Sequence, residues 1–198
     1  YATPLSLNPA LAGNYNGTYR VGAIYRDAWR TLSPVPLTTY AFNGEYRFQL
    51  GQEKKRPDYG GAGVRFFSDR TSILEQNTNS ITGAFAFHKS LSQFSNQYLS
   101  LGIEVGLAQK NLNYENLNFE DEFNNLDGFE GQSAEDLQPN NFAYADFGIG
   151  LNYTQEINSK NSVFAGLSAK HLSTPNVSFW RNSQSNDPNL IKQNDLYI

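Results

Sequence analysis

From Tyr40 to Leu50 every even position is apolar or glycine, and the odd positions are Ala41, Asn43, Glu45, Arg47 and Gln49. A two-residue period of this kind gives a strand one oily face and one polar face. Six further segments repeat it. In "TYRVGAIYRDAW" Tyr19, Val21, Ala23, Tyr25 and Trp29 oppose Arg20 and Arg26, with Asp27 interrupting the oily face. The others are "GAGVRFFSD" (61–69), "SITGAFAFHK" (80–89), "YLSLGIEVGLAQK" (98–110), "FAYADFGIGLNY" (142–153) and "SVFAGLSAKH" (162–171). The final "LYI" begins an eighth strand, and no segment carries a helical period. The pattern predicts an all-β antiparallel chain.

Alternation does not say which face is inside. A soluble β-sandwich or lipid-binding barrel hides the oily face, whereas a transmembrane barrel turns it to lipid and keeps the charges within. Segment length and connections favour the membrane. About ten residues cross a bilayer when tilted. The connection 111–141 and the tract 173–194 are long and of the same parity, while 155–161 is short. Short turns on one rim and long loops on the other characterise outer-membrane barrels. With a periplasmic N-terminus, both long loops become extracellular. The expectation is one outer-membrane β-barrel domain over 1–198, with seven or eight strands visible, part of a larger barrel and incomplete at its C-terminus.

Composition narrows this further. The 12 Tyr, 14 Phe and 16 Gly suit a β-protein. Mean hydropathy of −0.55 is no objection, because only alternate residues of a barrel strand meet lipid. No apolar run is long enough for a helical span. A net charge of −4 without a basic block argues against nucleic acid. There is no cysteine, so thiol chemistry is excluded. His88 and His171, the two histidines, suggest neither a triad nor a zinc site. No cofactor is expected, and no enzyme. Arg20, Arg26, Glu45, Arg47, Arg65, Glu104, Asp146 and Lys170 fall on the inner face and are expected to pair across the lumen.

The residues "LNPALAG", "AIYRDAWR" and "FAGLSAKHLSTPNVSF", with "LQPNNFAYADFGIGLNY" between them, resemble the PorP/SprF family of the type IX secretion system of Bacteroidetes. The matching positions are Asn8, Pro9, Ala10 and Gly13; Tyr25, Arg26 and Trp29; Gly166, Ser168, His171, Leu172 and Pro175. Ala28 stands where the family commonly has Gln, and family members are commonly about a hundred residues longer. The resemblance implies a bacterial outer-membrane barrel of the secretion and gliding machinery. Such a protein anchors or receives a secreted substrate or adhesin through the cargo's C-terminal domain, and it meets periplasmic machinery and outer-membrane lipid. A passive channel is the rival function.

The tract 111–141 is rich in Asp and Glu and has no Lys or Arg. Its interleaved Tyr114, Phe119, Phe123 and Phe129 need something to bury against, which makes them candidate partner contacts. The carboxylates also suit a hard cation, although without EF-hand spacing, and a solvated acidic loop is the plainer reading. No metal ligand is assigned. "GQEKKRPD" (51–58) reads as a solvated basic turn on the opposite rim.

Overall fold

The computed structural model of the chain describes residues 3–31, 36–50, 58–71, 76–92, 96–113, 140–158, 161–175, 177 and 195–197, the last three by backbone. The fold is all-β. Its strands are β1 (Tyr19–Ala28), β2 (Leu37–Leu50), β3 (Asp58–Thr71), β4 (Gln76–Ser90), β5 (Gln97–Asn111), β6 (Asn141–Asn158), β7 (Asn161–Lys170) and β8 (Asp195–Tyr197). They form one antiparallel sheet in chain order. Among the described residues β1 and β8 do not pair with each other, so the sheet is open there. The sheet curls around residues 3–15, which touch strands from β2 to β7.

The oily face points outward. On β5, Leu101 and Ile103 are 58% and 56% exposed, while Ser100 and Glu104 on either side of them are 1% and 6% exposed. Phe42, Val64, Ile81, Phe85 and Ile149 are exposed in the same way, and Asn43, Glu45, His88 and Asn152 are buried. This inversion is what a wall between lipid and a polar interior requires. It rules out a sandwich, whose core would claim those same large side chains.

Aromatic residues bracket the outward band on β1 and β2. Tyr19 packs against Tyr46 and Tyr25 against Tyr40 with tilted rings, each pair with centroids 5.1 Å apart. Val21, Ala23 and Phe42 lie between the two pairs. Tyr25 lies six positions beyond Tyr19, roughly 20 Å along the strand. An apolar band about 25 Å tall with aromatic girdles is the expected lipid-facing surface. Several strands outrun it: β2 and β3 have 14 residues, β4 and β5 have 15, and β6 has 18. Backbone pairing continues into polar ends such as Thr38–Thr39 and Asn77–Asn79.

Antiparallel order puts the connections after β1, β3, β5 and β7 at one end. That end carries 112–140 and 171–194, while 51–57, 91–96 and 159–160 lie at the other. The basic turn at 51–57 and most of both long tracts lie outside the described residues.

Candidate functional site: a plugged interior

The N-terminal residues have no two-residue period, and they build a plug. Two 3-10 turns, Pro4–Ser6 and Pro9–Leu11, fold inside the curl of the sheet. Proline opens each turn, where its missing N–H costs nothing. Asn8 caps the second turn by accepting the Ala10 N–H at 2.8 Å. Its amide nitrogen donates to the carbonyls of Leu151 and Leu167, at 3.1 and 3.2 Å. One side chain thus pins the plug to β6 and β7 together.

Other interior side chains reach for the plug's backbone. Ser168 donates to the Leu7 carbonyl at 2.8 Å, and Lys170 to the Leu5 carbonyl at 3.2 Å. The His88 Nε2 is 2.7 Å from the Ala12 carbonyl and its Nδ1 is 2.6 Å from Ser100 Oγ. A carbonyl can only accept, so Nε2 carries the hydrogen and, in the neutral ring, Nδ1 accepts from Ser100. Glu45 accepts from the Gly13 N–H at 3.2 Å. Gly13 has φ +75°, the left-handed region that glycine enters without penalty.

Three strand glycines make room for this path. A Cβ on Gly61 would lie 2.6 Å from the Gly13 nitrogen, one on Gly102 would lie 2.5 Å from the Ala10 Cα, and one on Gly150 would strike Asn8. These glycines, on β3, β5 and β6, face inward. Side chains there would push the plug out. The buried apolar cluster inside the sheet is small: Leu5 and Ala12 of the plug with Ala84 and Ala86 of β4.

Most interior charges are paired. Arg20 makes a two-pronged contact with Glu45, at 2.9 and 2.7 Å. Lys170 stands 3.1 Å from Glu104, with both side chains buried. Arg47 lies over the Tyr59 ring at 3.7 Å and donates to the Tyr15 carbonyl. Burial, with Glu45 beside it, pushes the Tyr15 phenol above its usual range, so it remains a donor, 3.1 Å from the carbonyls of Thr18 and Glu45. Arg26 differs from expectation: it is exposed near the end of the edge strand β1, where the sheet no longer encloses it.

The plug separates two spaces. Toward the end with the long connections lies a cavity of about 360 Å³, with Ser6 of the plug in its wall. Toward the other end lies one of about 570 Å³, walled by Leu7, Leu11, Tyr59, Tyr98 and Phe164.

Of the residues singled out by sequence, Asn8, Pro9, Gly166 and Ser168 come together where the plug meets β6 and β7. A Cβ on Gly166 would lie 3.1 Å from the Asn8 amide nitrogen. His171 sits at the exit of β7 with its Nδ1 2.9 Å from Asp146 Oδ2, and Pro175 is buried beyond it. Tyr25 and Trp29 stand apart from the plug, on the outward face of β1 and just past its end. Tyr114, Phe119, Phe123 and Phe129 lie outside the described residues. Sequence reasoning missed the plug as a structure, and with it Leu5, Ala12 and the glycines beneath them. The available signal was glycine on the polar face of several strands.

A sheet with its apolar face outward, an aromatic border and a polar interior filled by its own N-terminal residues defines the wall of a transmembrane β-barrel. A family model described as type IX secretion system membrane protein PorP/SprF matches residues 1–195, and the chain belongs to that family. No curated protein and no solved structure matches it.

Proposed function

We propose that this chain is a non-enzymatic component of the bacterial outer membrane that anchors or receives a secreted cell-surface protein, through the cargo's C-terminal domain, for the type IX system. The family supplies the system. The observation that carries the reading is the plugged interior. Buried and half-buried hydrogen bonds with β2, β4, β6 and β7 hold residues 5–13 across the space a solute would need. A barrel filled in this way offers solutes no open path through its lumen, which speaks against a passive channel. The long connections at one end, above all the acidic, aromatic tract 111–141 with Tyr114, Phe119, Phe123 and Phe129, are the surface we assign to cargo. Periplasmic machinery would meet the end with the short turns.

The test is deletion of 115–136. The barrel should still assemble, judged by its heat-dependent shift on gels, and cargo identified by co-purification and mass spectrometry should be retained at least several-fold less well. Equal retention would remove the tract from the proposal.

A further inference from the structure

Arg65, Thr82, Gly106 and Asp146 form one row across four strands. Arg65 is paired with Thr82, Thr82 with Gly106, and Gly106 with Asp146. All four line the 360 Å³ cavity on the long-connection side of the plug. Neighbouring strands are about 4.8 Å apart, so the two charged residues start from backbones roughly 14 Å apart. Gly106 contributes no side chain to the row. Glycine is needed there because Thr82 leans over its place: a Cβ would come within 2.9 Å of Thr82 Oγ1.

Both ends of the row are chemically unfinished. Arg65 donates through Nη2 to Thr82 at 3.3 Å, while its Nε is buried without a hydrogen-bond partner among the described residues. Asp146 faces His171 through Oδ2, and its buried Oδ1 accepts nothing among the described residues. A buried donor or acceptor left unmade is costly. Three other interior cations differ from Arg65 in having partners. Arg20 and Lys170 have carboxylates, and Arg47 has a carbonyl and a ring.

A cation and a carboxylate in the wall of one polar cavity complement a guest with the opposite charges in the opposite order. We infer that this cavity binds a small zwitterion, an α-amino acid or a dipeptide, with its carboxylate on Arg65 and its ammonium on Asp146. The walls are balanced: Arg65, Lys110 and Lys170 against Asp69, Glu104 and Asp146. An anion alone would add nothing for Asp146 Oδ1, and a cation alone nothing for Arg65 Nε. The volume falls within the range of small-molecule sites, about 300–1,000 Å³. The inference rests on the fold and is independent of the cargo reading.

The experiment is calorimetric titration of the purified, detergent-solubilised chain with alanine, alanylalanine, N-acetylalanine and alanine amide. Saturable binding is expected with alanine or alanylalanine, and which of them binds separates a free amino acid from a peptide. N-acetylalanine lacks the ammonium and alanine amide lacks the carboxylate, so each should bind at least tenfold more weakly. Arg65→Gln and Asp146→Asn should each weaken binding at least tenfold. Lys89→Gln, at the opposite end in an exposed pair with Asp58, should bind as the native chain does. Gel mobility before and after heating checks assembly, and if either site variant fails to assemble the blocked ligands decide. No saturable heat with either zwitterion, or equal affinity for either blocked form, overturns the inference.

Discussion

At the scale of single residues, the positions that stand out in the sequence do unrelated physical jobs. Asn8 makes three hydrogen bonds from one buried amide, two to strands and one to its own turn. Asn8→Ala should lower stability by about 1–3 kcal/mol, because two strand carbonyls lose a donor and cannot recruit water easily. The reading is a lower temperature for the unfolding shift on gels. Trp29 and His171 have φ of 62° and 55°, conformations a bulky residue adopts only when its surroundings impose them. Both follow a strand at the same end of the sheet. The Glu104–Lys170 pair obeys a different logic. Removing one member of a buried pair strands the other, at a cost of about 3–5 kcal/mol, whereas replacing both by apolar residues is far cheaper. Glu104→Gln should therefore unfold in clearly less urea than Glu104→Leu combined with Lys170→Met. If the single variant proves the more stable, the pair is not holding Lys170 in place.

At the scale of elements, β5 was legible almost residue by residue. Its alternation of Leu99, Leu101, Ile103, Val105 and Leu107 with smaller or charged residues gave its position, its faces and its orientation once the exterior was taken as apolar. Ile103 lies near the middle of the strand, paired with Phe85 and Ile149, both exposed. A charge near the bilayer midplane costs about 2–4 kcal/mol, so Ile103→Arg should reduce the assembled, heat-modifiable fraction sharply. Normal assembly would mean that this face does not meet lipid. Strand ends were less legible, because ladder hydrogen bonds continue past the last large apolar side chain and periodicity does not report them. The plug was not legible at all. Residues 3–15 fold through turns and tertiary bonds to distant strands, from Glu45 to Lys170, and such contacts leave no local period. What the sequence did carry was the complementary trace, glycine at 61, 102 and 150 on faces otherwise reserved for polar side chains. The inward set was also partly misjudged at Arg26, since parity fixes a face and says nothing of how far an edge strand is enclosed.

At the scale of the whole molecule, the plug and the sheet depend on each other. In three of the contacts the sheet offers a donor and the plug a carbonyl: Ser168 to Leu7, Lys170 to Leu5, His88 to Ala12. These bonds read backbone, so the plug's hold comes from its path and its small residues, Ala10 and Ala12 being fully buried. Removing residues 3–14 would then have two consequences with one cause. Lys170, Ser168, His88 and Glu45 would lose buried partners, which lowers stability. The two cavities, about 360 and 570 Å³, would merge along the vacated path. The deletion variant should assemble with a lower unfolding temperature and, reconstituted in planar bilayers, pass ions where the intact chain holds current near background. Gly102→Val provides the same test without shortening the chain, because its side chain would collide with the Ala10 backbone and force the plug aside. An intact chain that conducts as freely as either variant would show that the N-terminal residues do not seal the interior. The function would then have to be sought in permeation rather than at the rims.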